Sequence, residues 1–176
     1  VAQMRVWEDA SWAAGRDVNE VMRRAGAAVA RQAAAMTSEG DTILLLAGKG
    51  NNGGDTRLAA EQIQGRKVLI MEASGQDCMP AIQKELAGRA ALVVDGLFGI
   101  GLNRALEGVW AELVTAVNAS GLIVLAVDVP SGLNADTGEP MGTAVQADVT
   151  ITFGGPKLGL LANHAAEFVG RLETAA

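Results

Sequence analysis

The sequence is poor in the residues that most often carry catalysis or covalent cross-links. It has one histidine (His164), one cysteine (Cys78) and no tyrosine among 176 residues. A zinc site built from Cys and His needs about four such ligands, and a disulfide needs two cysteines, so neither can form within these residues. A single cysteine also favours a reducing compartment, and we therefore expect a cytoplasmic protein.

Positive charge and long apolar runs are also scarce. The formal net charge is −6, which disfavours a nucleic-acid-binding face because such a face needs a basic patch. No apolar run reaches the roughly 18 residues of a membrane-spanning helix. We therefore expect neither nucleic acid nor membrane as a partner. With histidine, cysteine and tyrosine so rare, aspartates are the proton carriers available for acid–base chemistry.

Apolar residues and glycine, by contrast, are abundant, at 49% of the chain and 22 residues. Five short apolar runs are each followed by a glycine-rich or polar loop. Their uninterrupted apolar character is typical of strands buried on both faces of a parallel sheet. The five predicted strands cover residues 43–47, 68–71, 91–94, 122–127 and 149–153.

Helical patterns lie between these runs, at residues 56–64, 80–87 and 108–118. The alternation of strand and helix predicts an α/β fold, a three-layer α/β/α sandwich with a mainly parallel central sheet. Two N-terminal helices precede the sheet, one over residues 2–14 and one behind a capping box at Asp17 and Glu20. Residues 168–172 are a candidate last strand, and the length suits a single domain spanning 1–176.

The loop at residues 48–55 is the richest in glycine. Three of its glycines match G-x-G-x-x-G between a strand and a helix, the dinucleotide fingerprint. Glu72, after the next strand, could then bind a ribose. This leaves an NAD-dependent oxidoreductase open, but it explains neither the two asparagines nor the aspartate of the same loop.

Three aspartates, Asp55, Asp95 and Asp128, follow three different predicted strands. Because ligands bind beyond the carboxyl ends of parallel strands, we expect these carboxylates to converge on one cleft. Like charges that close raise one another's pKa unless a cation or hydrogen bonds offset them. Either one carboxylate carries a proton or a metal ion lies among them. The local alternatives are a helix cap at Asp95 and an Asx turn at Asp128.

Four segments, in order along the chain, resemble motifs of the NAD(P)H-hydrate epimerase family, also called the YjeF N-terminal domain. They are GKGNNGGD at 48–55, DGLFGIGL at 95–102, DVPSGLNADTG at 128–138 and ADVTITFGGPKLG at 147–159. Gln3-Met4 and MRRAG at 22–26 resemble the family's opening helical motifs. The match covers nearly the whole chain, and four ordered motifs are far more specific than a lone G-x-G-x-x-G.

The resemblance implies a Rossmann-like fold, often a homodimer, and an isomerase that acts in metabolite repair. Such an enzyme interconverts the R and S epimers of hydrated NADH and NADPH (NADHX and NADPHX) at C6 of the nicotinamide ring. An ADP- or ATP-dependent dehydratase, separate or fused to the same chain, then repairs the S form. A potassium ion is the implied cofactor.

Site residues follow from the same resemblance, position by position. Asp128 contacts the hydrated ring, and potassium is ligated by Asn52, Asp95 and Ser131. The remaining substrate contacts come from two loops: Asn51, Asn52, Gly53, Gly54 and Asp55, and, around the phosphates, Gly99, Ile100, Gly101, Leu102, Asn103, Arg104 and Ala105. Backbone amides of glycine-rich loops can bind a pyrophosphate without added positive charge, which suits an acidic protein.

Inversion at C6 needs a general acid that becomes a general base. Asp128 is the first candidate for this catalytic role and Asp55 the second. Thr56 departs from the family, which usually has glycine there; a positive φ at this position would strain threonine. A non-catalytic binding module of the same fold is therefore a further alternative.

Five other residues have less specific interpretations. Lys157 belongs to a family motif, and a helix-capping lysine and a phosphate-facing lysine are both open. Arg57 and Arg104 are the candidates for recognising the 2′-phosphate of NADPHX. His164, like Cys78, is expected to be incidental.

Overall fold

In a computed structural model, which describes residues 17–175, the chain forms one sheet of six parallel strands. Each strand pairs in parallel with its neighbours, in the order β2-β1-β3-β4-β5-β6. The strands are β1 (Thr42–Ala47), β2 (Lys67–Glu72), β3 (Ala90–Gly96), β4 (Ile123–Val127), β5 (Val149–Phe153) and β6 (Arg171–Ala175).

Helices cover both faces of this sheet. They are α1 (Val18–Ala35), α2 (Asn51–Gln62), α3 (Met79–Leu86), α4 (Val109–Ala119) and the single turn α5 (Ala166–Val169). Short 3₁₀ segments lie at Gln76–Cys78, Leu158–Leu161 and Asn163–Ala165. The N-cap of α1 is Asp17, whose side chain accepts a hydrogen bond from the N–H of Asn19, as the capping pattern predicts.

Strand β1 shows why two core layers form. Successive side chains of a strand point to opposite faces, so Ile43 and Leu45 pack against α1 and α2, while Leu44 and Leu46 face α3 and α4. All four are fully buried. The three-layer architecture is therefore confirmed, with every strand parallel.

The structure corrects three sequence-based expectations. Strand β2 is mostly exposed, with Leu69 and Ile70 open to solvent, because among the described strands it lies at an edge of the sheet, beside β1 alone. Helix α2 begins at Asn51 rather than at Thr56. The last strand starts at Arg171, since residues 166–169 form α5. The predicted helix at 2–14 lies outside the described residues.

The strand order fixes where a ligand can bind. Strands β2 and β3 flank β1 on opposite sides, so the direction of winding reverses between β1 and β3. In doubly wound sheets of the order 2-1-3-4-5, ligands bind in the crevice at that reversal, beyond the carboxyl ends of the strands. Across residues 17–175, no helix combines the length and apolarity needed to cross a bilayer.

Candidate functional site

A pocket of about 650 Å³ lies at this reversal. One wall is the start of α2, with Lys49, Gly50, Asn51, Asn52 and Asp55. The opposite wall is the loop after β3, at residues 97–104. The remaining lining comes from α1 and from the ends of β4 and β5: Val21, Met22, Ala25, Asp128, Phe153 and Lys157.

Close backbone packing explains the glycines of the α2 wall. A Cβ at Gly53 would overlap the carbonyl oxygen of Gly48, and a Cβ at Gly48 would overlap that of Leu97. Glycine at both positions lets the start of α2 approach the end of β1 and the loop after β3. Gly50 is the N-cap and has no side chain to cap the helix, so the first N–H groups of α2 have no side-chain cap. Because Gly50 and Asn51 line the pocket, these N–H groups lie beside it, as in many anion sites.

Beneath the pocket floor, the peptide groups of Phe98 connect three polar side chains. The Asn52 Nδ2 donates to the Phe98 carbonyl at 2.9 Å, and the Phe98 N–H donates to Ser131 Oγ at 2.9 Å. Ser131 then donates twice to Asp95, from Oγ at 2.6 Å and from its backbone N–H at 2.8 Å. The structure therefore brings together the three predicted potassium ligands.

Asp95 and Asn52 give this network its electrostatic character. Asp95 is completely buried; burial raises the pKa of its carboxyl, and hydrogen bonds from Ser131 and Leu97 partly offset the rise. Asn52 Oδ1 is the one buried side-chain oxygen or nitrogen in the described chain without a hydrogen-bond partner. Buried polar atoms normally have a partner, and hard cations prefer oxygen ligands. The donor set therefore fits a potassium ion.

Asp128 has an unusual backbone. Its φ is 65°, and it is the single non-glycine residue with positive φ in the part of the chain that the structure describes. The N–H of Val129 donates to the carbonyl of Val127 at 2.8 Å, which closes a three-residue turn centred on Asp128. Turns of this kind are rare and strained, and this one directs the chain away from the sheet just where β4 ends.

The Asp128 carboxylate is held from the side of β5. Its Oδ1 accepts from Thr152 Oγ1 and from the Phe153 N–H, both at 3.2 Å, and from Lys157 Nζ. The Lys157 side chain is only 3% exposed. Lys157 is therefore not an exposed helix cap, one of the two roles left open from sequence, and its ammonium group is bonded to Asp128.

The expected convergence of three aspartates is wrong. Asp55 and Asp128 line the pocket, whereas Asp95 lies below it in the Ser131 network. Among residues 17–175, no cluster of three acidic, histidine or cysteine side chains could hold a metal ion. Asp95 and Asp128 each have their own partners instead, serine for Asp95 and lysine for Asp128.

Thr56 is accommodated without backbone strain. It lies inside α2, where φ is negative, and its Oγ1 donates to the Asn52 carbonyl one turn earlier at 2.8 Å. Its side chain is fully buried and fills the space above Gly96, where a Cβ would overlap Thr56 Oγ1.

The other predicted site residues divide between the pocket and its support. Gly53 and Gly54 pack inside α2, and Ala105 lies outside the lining. Arg104 lines the pocket, but Arg57 does not; it pairs with Glu72 and donates to the Gly48 carbonyl. The rest line the pocket: Asn51, Asn52, Asp55, Gly99, Ile100, Gly101, Leu102, Asn103, Arg104 and Asp128.

Sequence reasoning missed the contribution of Lys157 and of α1. One signal could have found the lysine: β5 is apolar except for Thr150 and Thr152, two positions apart and therefore on one face. Both threonines are fully buried, and a buried hydroxyl needs a partner. Val21, Met22 and Ala25 of α1 line the pocket with apolar surface; Met22 and Ala25 belong to the MRRAG motif, for which no part in the site was predicted.

His164 and Cys78 lie away from the pocket. His164 is exposed and contacts the carbonyl of Thr137 at 3.0 Å. The thiol of Cys78 donates to the Gly75 carbonyl. Neither residue lines the pocket.

The fold and the pocket define a class: a doubly wound α/β protein with a ligand site at the reversal of its parallel sheet. The relatives identify the family within that class. A model of the "YjeF-related protein N-terminus" family matches residues 18–77 and 66–159, and the chain belongs to this family.

Curated relatives carry related names. An NAD(P)H-hydrate epimerase of Achromobacter xylosoxidans is 44% identical, over 91% of this chain and 85% of that protein. A bifunctional NAD(P)H-hydrate repair enzyme of Thermofilum pendens is 40% identical over 86% of this chain, which spans only 34% of that protein. The crystal structure of yeast ynu0, YNL200c, has a TM-score of 0.68 at 19% identity, with 82% of this chain and 74% of that chain covered; it supports the fold.

Proposed function

We propose that the protein is an NAD(P)H-hydrate epimerase, an isomerase that interconverts the R and S forms of NADHX and NADPHX. The observation that carries this proposal is Asp128, a carboxylate held at the wall of a dinucleotide-sized pocket by contacts from β5 and Lys157. The names of the curated relatives support the same activity.

The chemistry is an elimination and a re-addition of water. The C6 hydroxyl leaves as water after it takes a proton, and the resulting cation is delocalised onto the ring nitrogen. Water then adds to C6 from the other face and returns a proton to the protein. One carboxyl group that gives and then takes a proton suffices. Asp128 is the first candidate and Asp55, on the α2 wall, the second.

Asn52, Asp95 and Ser131 would hold a potassium ion in this proposal. When bound, the ion would supply a fixed positive charge beneath the pocket, which favours an anionic dinucleotide. The network of hydrogen bonds through Phe98 would then hold the loop at residues 97–104 against α2. The start of α2 and the cations Lys49 and Arg104, which line the pocket, would bind the phosphates.

The product of this reaction must be consumed by a dehydratase specific for one epimer. Bifunctional relatives of Thermofilum pendens and Coxiella burnetii, of which this chain spans 34% and 39%, suggest a fused dehydratase in related proteins. A nucleotide-dependent dehydratase, on the same or a separate chain, is therefore the proposed partner.

The proposal predicts a large loss of turnover in Asp128→Asn. A mixture of R and S hydrates of NADH is supplied with an S-specific dehydratase, and clearance of the R form is followed. We expect the wild-type protein to accelerate this clearance and Asp128→Asn to reduce kcat by about 10²–10⁴-fold. Nucleotide binding should persist, because asparagine also tolerates positive φ. Asp77→Asn, at an exposed position outside the pocket, is the matched control.

Three outcomes would count against parts of the proposal. Unchanged clearance with wild-type protein would overturn the epimerase function and favour a non-catalytic module. An Asp128→Asn variant with full turnover would overturn the assignment of Asp128. Hydride transfer to or from undamaged NAD in a spectrophotometric assay would favour an oxidoreductase.

A further inference from the structure

Lys157 is the most deeply buried charged side chain that lines the pocket, at 3% exposure. Its ammonium group donates to Thr152 Oγ1 at 2.8 Å, to the Phe153 carbonyl at 2.9 Å and to Asp128 Oδ1. Burying an ammonium group costs several kcal/mol unless its hydrogen bonds are made, and here all three donors of the group have an acceptor. The lysine is therefore fixed in position before any ligand binds.

The two oxygens of Asp128 have different surroundings. Oδ1 accepts three hydrogen bonds, from Thr152, Phe153 and Lys157. Within the described residues, Oδ2 accepts none, and it is not among the buried atoms that lack a partner. Because Asp128 lines the pocket and its side chain is 14% exposed, Oδ2 is the oxygen available to a ligand.

A purely structural brace does not account for this arrangement. A buried ion pair is often no more stabilising than apolar residues of similar size, and Asp128 also has a strained backbone at φ 65°. Strain of this kind costs about 1–3 kcal/mol and is concentrated at functional sites. Both features have one geometric result, which is a carboxylate with one oxygen fixed and the other facing the pocket.

We propose that Lys157 is a positioning residue that fixes Oδ1 of Asp128, so that Oδ2 alone exchanges the proton with the substrate. This inference rests on the proposed epimerase function. In the forward half-reaction, Oδ2 gives its proton to the C6 hydroxyl, and the C–O bond breaks with its electron pair leaving on water. In the second half, water bonds to C6 from the other face, and its proton returns to Oδ2 through a second water. Lys157 keeps its protons throughout and acts through Asp128.

Lys157→Met tests this role, because methionine keeps the length of the side chain and removes the charge and all three donors. We expect kcat for R-to-S conversion to fall about 10²-fold, while KM stays within about threefold, since the binding surface is retained. Lys157→Arg should recover part of kcat. In Lys157→Ala, added methylammonium should raise kcat, whereas tetramethylammonium at equal ionic strength, which cannot donate, should not.

A pair of threonine variants in β5 provides a matched control. Thr150 and Thr152 are both fully buried, but Thr150 Oγ1 donates to the Val169 carbonyl at 2.8 Å, away from the site. Thr152→Val should lower kcat, because it removes one partner of Lys157 and one of Asp128. Thr150→Val should lower the midpoint of thermal unfolding and leave kcat unchanged.

The double variant Asp128→Asn/Lys157→Met guards against a folding artefact, since it leaves no unpaired buried charge. Once Asp128 has lost its acidic proton, removal of Lys157 should lower kcat no further than Asp128→Asn alone. An additive further loss would overturn the inference. So would an active wild-type protein whose Lys157→Met variant keeps its kcat, or a loss of kcat that only follows a loss of folded protein. Absence of wild-type epimerase activity would instead overturn the proposed function, and this inference with it.

Discussion

At the scale of single residues, the side chain of Asn52 lacks a hydrogen-bond partner that its burial requires. Its Nδ2 donates to the Phe98 carbonyl, but its Oδ1 is buried without a partner. An unsatisfied buried acceptor costs about 1–3 kcal/mol, and a cation bound between Asn52, Asp95 and Ser131 would remove that cost. A ligand that binds only the folded state also stabilises it by mass action.

We therefore predict that thermal stability depends on potassium. The midpoint of unfolding should be higher in potassium chloride than in tetramethylammonium chloride of equal concentration, by roughly 2–4 °C per kcal/mol for a chain of this size. Asn52→Ala should remove the difference. Ser120→Ala breaks hydrogen bonds with Val117 and Leu122 just before β4 begins, at the end of the sheet opposite the pocket, so it should lower both midpoints equally. Equal midpoints for the wild-type protein in the two salts would contradict the proposed cation site.

At the scale of elements, the contact between α2 and β3 determines how the pocket is built. Thr56 of α2 occupies the space above Gly96 of β3, and a Cβ at Gly96 would overlap its hydroxyl. Since overpacking a core costs about 1–3 kcal/mol, Gly96→Ala should destabilise the wild-type protein by that amount. In a Thr56→Gly background the same substitution should cost much less, because the obstructing side chain is gone. Chemical denaturation of the four proteins measures this coupling; additive losses would rule it out.

The sequence predicted the strands of the sheet better than it predicted the start of α2 or the exposure of β2. Uninterrupted apolar runs identified the five strands β1 to β5 to within a few residues, because burial in a parallel sheet requires them. The start of α2 was missed, since glycine and asparagine are poor helix formers. Close packing of Gly53 on Gly48 outweighs that local preference. The exposure of β2 also could not be predicted, because nothing local to a strand says that it lies at an edge of the sheet.

At the scale of the whole molecule, one exposed ion pair between two elements contributes to stability on the acid side. Arg57 of α2 pairs with Glu72 at the end of β2, with a 2.8 Å bond from Nε to Oε1. The hydrogen bond from Arg57 lowers the pKa of Glu72 below its ordinary 4.5, and the pKa of Arg57 rises correspondingly. A carboxyl with a lowered folded pKa stabilises the protein above its unfolded pKa, and that stabilisation is lost as the pH falls through the folded value.

Glu72→Gln should accordingly be less stable than the wild-type protein at pH 7, and the difference should vanish below the folded pKa of Glu72. Both side chains are more than a third exposed, so we expect at most about 1 kcal/mol, reduced further by salt. Urea denaturation over a pH series measures the difference. A difference that grows in acid would contradict the linkage.

For the site as a whole, the sequence predicted the edge of the sheet at which it lies but not the contacts within it. The carboxyl-end rule led from Asp55, Asp95 and Asp128 to the correct edge of the sheet. The expectation that all three line one cleft was wrong, because Asp95 lies at the buried end of β3 and accepts a hydrogen bond from Ser131. Lys157 lies 29 residues from Asp128 along the chain, so only the fold reveals their contact.

The ion pair between Asp128 and Lys157 also restricts how proteins of this fold can lose the activity during evolution. If Asp128 alone is replaced by an apolar residue, Lys157 is left as a buried, unpaired charge, at a cost of about 3–5 kcal/mol, a large part of a typical domain's stability. A lineage that drifts towards a purely binding role should therefore lose both residues in close succession. The sequence of a descendant should therefore contain both residues or neither. This pattern alone would indicate whether its lineage kept the activity.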